Sequence, residues 1–187
     1  MRAAACQHRT FPTGLFRCLA LVLASAVVAC DEGPRTVTDR LVEDPWAFAQ
    51  STMAEGPLLV QVEGDPFDAG TAALEAAVID AMTTAVTWTG TARFAADPDA
   101  VPNPDLRVVF TFNGTAGLSG RQQCLGHSSG GGPSPDGRID ASASFCDGPT
   151  QLATVRGEVT DRSDGRAFAA LIRQITIDML SPRQRGD

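Results

Sequence analysis

Residues 138–146 read Arg-Ile-Asp-Ala-Ser-Ala-Ser-Phe-Cys, in which apolar and polar side chains alternate. A period of two is that of a β-strand with one buried and one polar face. The side chains predicted to face the core are Ile139, Ala141, Ala143 and Phe145, and those predicted to face the other way are Asp140, Ser142 and Ser144. This stretch therefore requires partner strands beside it and a covering layer on one side.

Four further segments are predicted to be strands of the same sheet. They are Leu58–Glu63, Thr87–Ala95, Leu106–Phe112 and Leu152–Val159. Leu106–Phe112 gives the strongest signal because it is rich in β-branched and aromatic residues. Proline and glycine residues interrupt the chain between these segments, as the stretch from Asp97 to Pro104 shows.

Helical periodicity appears twice in the same region. From Asp68, the predicted cap, to Val86, apolar residues recur every four positions at Leu74, Val78, Met82 and Val86. A second helix is predicted to begin at Ser163 or Asp164 and to end at Pro182. Its apolar stripe is Phe168, Leu171, Ile172, Ile175 and Met179. Residues 45–53 are expected to form a short apolar helix that docks on the domain.

The order of these elements is strand, helix, several strands and helix. It predicts an α+β fold, a two-layer sandwich of a mostly antiparallel sheet with two main helices on one face. The predicted organisation is a removable segment over 1–29, a tether with the short helix over 30–56, one α+β domain over 57–182 and a tail over 183–187. The tether is inferred because residues 31–44 are polar and charged.

The first 29 residues have the layout of an export signal. Three arginines and no acidic residue precede or surround an apolar run at residues 18–29, which ends abruptly at Asp31-Glu32-Gly33-Pro34. Twelve residues span about 18 Å as a helix, which is short of a bilayer crossing. A basic start, a short apolar stretch and small residues are typical of secretory signals.

Val27-Val28-Ala29-Cys30 resembles the lipobox of bacterial lipoproteins. The resemblance implies that lipid is added to Cys30, that the Ala29–Cys30 bond is cut, and that the mature protein is anchored to a membrane facing the periplasm. It covers about the first 30 residues, with Val27 and Val28 in place of the commoner leucine and smaller residue. An ordinary signal peptide, or a buried helix of a cytosolic protein, is the alternative. The sequence leaves inner and outer membrane open.

The chain contains five cysteines, an odd number. Cys6 and Cys18 would leave with the signal and Cys30 would carry lipid, so Cys124 and Cys146 would remain as a pair in an oxidising compartment. A disulfide between them would contribute about 3 kcal/mol by the chain-entropy estimate. The alternatives are two separate buried thiols, a redox-active pair or a metal site near His127.

Gly126-His127-Ser128-Ser129-Gly130 matches the G-x-S-x-G pattern of esterases. That pattern needs a strand before it and a helix after it, whereas Gly131-Gly132-Pro133 follows here. It also needs a histidine downstream, and His127 inside the motif is the only histidine after residue 29. A flexible hairpin loop is the preferred interpretation.

Asp97, Asp99, Asn103 and Asp105 suggest a calcium loop, but the sixth and twelfth positions are Pro102 and Val108, where an EF-hand needs glycine and glutamate. A solvated loop is therefore preferred.

No phosphate loop, dinucleotide fingerprint or zinc motif occurs, so no cofactor is predicted. Beyond residue 29 the formal charge is −10, since the front holds three of the fifteen arginines and no acid. This charge disfavours nucleic-acid binding.

These features predict a membrane-anchored envelope lipoprotein, whose domain binds a protein partner in the envelope rather than catalysing a reaction. Two alternatives stay open. One is a cell-envelope hydrolase with an unrecognised pair of carboxylates, and the other is a carrier of a small apolar ligand held between sheet and helices.

Overall fold

The computed structural model describes residues 33–41, 44–90, 92–161 and 165–182. The elements are β1 (Arg35–Leu41), α1 (Pro45–Glu55), β2 (Leu58–Glu63), α2 (Thr71–Ala85), β3 (Phe94–Ala95), β4 (Leu106–Phe112), α3 (Gly120–Cys124), β5 (Arg138–Asp147), β6 (Thr150–Thr160) and α4 (Arg166–Leu180). They build one sheet of six strands in the order β1-β6-β5-β4-β2-β3.

The sheet is mixed and mostly antiparallel. Strands β1, β6, β5 and β4 pair antiparallel in turn. Strand β2 is parallel to both β3 and β4. Parallel neighbours need a long crossover, and α2 supplies it between β2 and β3. The predicted α+β sandwich with a mostly antiparallel sheet is confirmed.

One face of the sheet carries α1, α2 and α4, and the main hydrophobic core lies between these helices and the strands. The helical stripes predicted from Leu74 to Met82 and from Phe168 to Met179 are buried there, as are Phe110 and Phe112 of β4. The alternation at residues 138–146 holds as predicted: its apolar side chains join this core. The fold therefore derives its main core from the periodicities that the sequence shows.

The prediction of a tether over residues 31–44 is wrong for residues 35–41, because they form the strand β1. Arg35–Leu41 pairs antiparallel with β6, from Arg35 opposite Glu158 to Leu41 opposite Ala153. The stretch is polar because β1 is an edge strand, most of whose described side chains are exposed. Its Thr-Val-Thr sequence carries the β-branched residues that favour a strand. The domain thus starts well before residue 57, and the chain between Cys30 and the sheet is short.

The strand predicted over Thr87–Ala95 is wrong for most of its length. Only Phe94 and Ala95 pair, with the first residues of β2. Trp88 instead leaves the sheet and packs edge-on against Trp46 of α1, with ring centroids 5.6 Å apart. Burial of two large rings against each other outweighs the strand preference of the sequence.

The predicted cap of α2 at Asp68 is also wrong. The helix begins at Thr71, after Gly70, and Asp65 supports the approach instead: its carboxylate accepts from the backbone N–H of Phe67 at 3.0 Å and of Gly70 at 2.7 Å. Partial burial by itself would raise the pKa of Asp65, but these backbone donors outweigh it and the pKa is lowered. Asp68 has a left-handed backbone, with φ of 54°.

The other predicted boundaries differ by a few residues. Helix α1 extends to Glu55 and is capped by Asp44, and β6 extends from Thr150 to Thr160. The start of α4 is supported by Asp161, whose carboxylate accepts from the backbone N–H of Phe168 at 2.9 Å. Ser163 and Asp164, predicted as caps, lie outside the described residues, as do residues 1–32 and 183–187.

Candidate binding groove

A groove of about 540 Å³ lies on the sheet face opposite the three long helices. Its floor is formed by β1, β6 and β5, and one wall is the loop from Gly114 to Leu118. The strands that form the floor are those whose second set of side chains is polar, because only their other set belongs to the main core. The groove thus lies on the polar face of these three strands, which no long helix covers.

Charged side chains on and beside the groove floor form ion pairs, both within a strand and between strands. Arg138 donates to Asp140 at 2.8 Å and to Glu158 at 2.7 Å, and Arg156 donates to Asp39 at 2.9 Å. The hydrogen bond to Asp140, and then the charges of Asp140 and Glu158, raise the pKa of Arg138. All these side chains are substantially exposed, so the pairs are accessible to a ligand that could exchange one partner for another.

Apolar surface lies among these charges. Val37 of β1 lines the groove and is 65% exposed. Leu118 lines the facing wall, where its carbonyl oxygen accepts from Arg156 at 2.6 Å. The groove therefore offers both apolar contact and hydrogen-bonding groups, the combination that specific binding sites use.

Beside the groove, the same face is covered by α3, which a disulfide joins to the sheet. Cys124 at the end of α3 is bonded to Cys146 of β5, with Cα atoms 5.5 Å apart. The predicted pairing of these two cysteines is confirmed. Both are buried against Val109 in a small second cluster. Arg107 adds a hydrogen bond to the Cys124 carbonyl oxygen at 2.7 Å.

A buried amide anchors the same helix. The Nε2 of Gln123 donates to the carbonyl oxygens of Val109 and Ser142 and to Thr111 Oγ1, at 3.3, 2.9 and 3.0 Å. Its Oε1 accepts from the hydroxyls of Ser142 and Ser144, at 3.0 and 2.7 Å. The two carbonyl oxygens can only accept, which fixes the orientation of the amide.

Close approach of α3 to the sheet requires glycine at its first position. A Cβ on Gly120 would overlap Thr154 Oγ1 and crowd the Ser144 hydroxyl. Ser119 caps the helix in a capping box with Gln122, whose side chain accepts from the Ser119 N–H at 2.9 Å. The sequence Ser-Gly-Arg-Gln carried this signal, since serine followed three positions later by glutamine is typical of a helix start.

The G-x-S-x-G segment lies in a different context from the one that catalysis requires. It follows α3 rather than a strand, and residues 127–130 are irregular. His127 is exposed, whereas Ser128 Oγ is buried and has no hydrogen-bond partner among the described residues. Gly130 and Gly131 of the same loop pack closely on the ends of β2 and β4, which explains the glycines. The segment therefore packs against the end of the sheet at which β2 and β4 finish.

The Asp-rich loop is ordered by its own side chains. Asp97 accepts from the backbone N–H of Asp99 at 2.9 Å, and Asn103 accepts from that of Asp105 at 3.1 Å. These bonds direct oxygen atoms at the loop's own backbone. Over residues 33–41, 44–90, 92–161 and 165–182, no three histidine, cysteine or acidic side chains converge as metal ligands would.

Of the site residues predicted from the sequence, Cys124 and Cys146 are brought together, while Ala29 and Cys30 lie outside the described residues. The groove was missed, because it depends on β1 lying beside β6.

Within the part of the chain that the structure describes, no helix is both long and apolar enough to cross a membrane. Comparison with protein-family models, with curated proteins and with solved structures found no match to this chain.

Proposed function

We propose that this chain is a lipoprotein of the bacterial cell envelope, anchored through lipid on Cys30, whose domain binds an extended polypeptide segment of an envelope protein. The export signal and lipobox resemblance of residues 1–30 support the anchor. The observation that carries the binding role is the groove of about 540 Å³ on the uncovered half of the sheet face.

The position of β1 favours an extended ligand. It is the terminal strand of the sheet, so its outer backbone edge is available to a further strand. Arg35 and Val37 of β1 line the groove, and a strand added beside β1 would direct alternate side chains into it. The register of β1 shifts between Thr38 and Arg40, so an added strand is expected to pair regularly with the first half of β1.

The two alternative functions that the sequence left open, a hydrolase and a carrier of a small apolar ligand, have less support. Asp140 and Glu158 are the acidic pair that converge in the groove, but both are bonded to the same guanidinium of Arg138. A small apolar ligand would need room between sheet and helices, where Phe110, Phe112 and Ile172 are fully buried. The groove on the opposite face is the better-supported site.

The anchor is tested by Cys30→Ser. The variant should leave the membrane fraction or accumulate as unprocessed precursor, because the acylated thiol is lost. Membrane association and processing identical to those of the wild type would refute the anchor.

The binding role is tested by a photo-crosslinking residue in place of Val37 in intact cells. The matched control is the same residue at Ile177, which is 38% exposed on α4, a helix of the opposite face. We expect a discrete adduct at position 37 only, mapped by mass spectrometry to an extended segment of one envelope protein. The groove-filling substitution Ala116→Trp should abolish it. Equal adducts at both positions, or an enzymatic activity of the domain abolished by Asp140→Asn, would contradict the proposal.

A further inference from the structure

The strand β1 fixes where the lipid anchor meets the domain. It starts at Arg35, which is paired in the sheet opposite Glu158, so only four residues separate the sheet from Cys30. Five Cα–Cα steps reach about 17 Å at full extension. A polar tether of fourteen residues would have reached about three times as far.

The start of β1 lies at one end of the sheet, at which four other strands also begin or end. Strand β6 ends beside the start of β1, β5 begins there, and β4 and β2 end there. We call this the tether end of the domain. The opposite end, the far end, carries the turn between β5 and β6 and the loop over 97–105, which are joined by a hydrogen bond from Gly148 N–H to the Asp105 carbonyl oxygen at 2.9 Å.

The length of the sheet exceeds the reach of the tether. Strand β5 has ten residues, which span about 33 Å at about 3.3 Å each. If the far end touched the bilayer, Arg35 would stand about 23 Å above it, because Arg35 lies level with Asp140, seven residues from the end of β5. This height exceeds the tether's reach of about 17 Å. The covalent connection therefore excludes that orientation for a protein lipidated on Cys30.

We propose that the tether end is a membrane-facing surface: it lies against the lipid headgroups, and the groove opens close to the bilayer. This inference rests on the proposed lipid anchor. The groove belongs to the tether half of the sheet, because Arg35, Arg138, Glu158 and the loop over 114–118 line it. Its polypeptide partner is then a segment presented at the membrane surface.

Charge agrees with this orientation without causing it. The loop over 113–120, beside the groove, contains no charged residue, whereas the far-end loop over 97–105 contains three aspartates and no basic residue. Near the tether end the acidic residues Asp65, Asp136 and Asp140 accompany the basic residues Arg35 and Arg138, so this end is not a basic lipid-binding face. The short tether, rather than electrostatic attraction, holds it at the surface.

The test uses purified lipidated protein in vesicles whose headgroups carry a spin-label quencher. One environment-sensitive fluorophore is attached at Thr115→Cys, on the tether end, or at Asp99→Cys, on the far end; both positions are exposed. We expect quenching at position 115 to be at least threefold stronger than at position 99. Equal or reversed quenching would overturn the orientation.

A third variant, with fifteen glycine and serine residues inserted between Glu32 and Gly33, should remove the difference, because a flexible linker of that length reaches about 22 Å on average and allows the domain to turn. A difference that persists would mean that the tether end itself binds lipid, which would overturn the account based on tether length. If neither the unlabelled wild type nor the insertion variant partitions into vesicles, the anchor proposed above is refuted instead.

Discussion

On the face covered by α1, α2 and α4, strand β4 presents Val108, Phe110 and Phe112, all fully buried. On the opposite face the same strand presents Arg107, Val109 and Thr111. Apolar packing against long helices covers the first face, whereas five residues of α3, a disulfide and a buried amide cover part of the second. The groove lies on the part of the second face that β1, β6 and β5 form.

This difference separates stability from recognition. A face buried under aromatic and aliphatic side chains supplies most of the hydrophobic free energy of folding and leaves no room for a ligand. A polar face can stay half open, because its exposed side chains lose little by contact with water. Helix α3, which covers only a small part of that face, is then held by a disulfide and hydrogen bonds rather than by a large buried apolar area.

The largest effect is expected on the helix-covered face. Phe110→Ala removes a fully buried ring that stacks on Phe112 with centroids 5.9 Å apart. We expect a loss of about 3–5 kcal/mol in the free energy of unfolding, measured by chemical denaturation of the Cys30→Ser protein. The matched control is Val37→Ala on the groove face, where we expect a change of about 0.5 kcal/mol or less. Similar losses for both variants would contradict the contrast between the two faces.

A smaller effect is expected where the disulfide covers the second face. Replacing Cys124 and Cys146 by alanine opens a bridge between residues 22 apart in sequence, which should cost about 3 kcal/mol by the chain-entropy estimate. The loss should be accompanied by faster hydrogen exchange of α3 amides, while those of α4 keep the exchange expected from the global stability. Unchanged relative protection of α3 would show that the disulfide is not what holds this helix.

The sequence predicted the helix-covered face better than the opposite one. Periodicity at Leu74, Val78 and Met82, and alternation from Ile139 to Phe145, follow directly from burial on one side, and both appear in the structure. The elements of the other face are short or polar. Strand β1 has few apolar residues because it is an edge, and α3 is too short to show a helical period.

The groove could not be predicted for a related reason. Its floor depends on which strands are neighbours, and β1 pairs with β6 although more than a hundred residues separate them in the chain. The Cys124–Cys146 pair was predictable because counting cysteines needs no knowledge of strand order. Where Trp88 left its predicted strand to meet Trp46, a tertiary contact overrode local preference.

The smallest of the three effects tests the polar part of the covered surface. Gln123→Ala removes the amide that bonds Thr111, Ser142 and Ser144, and leaves the buried hydroxyls of Thr111 and Ser144 and the half-buried hydroxyl of Ser142 without that partner. Thr154 is the donor to Ser144, because Ser144 gives its one hydrogen to Gln123. We expect a loss of about 1–3 kcal/mol in the free energy of unfolding, measured by denaturation with the disulfide intact.

The control is Arg121→Ala, a substitution of an exposed residue of the same helix, for which a loss of about 0.5 kcal/mol or less is expected. Equal losses would show that the disulfide alone fixes α3, and that the buried hydroxyls find other partners when the amide is removed.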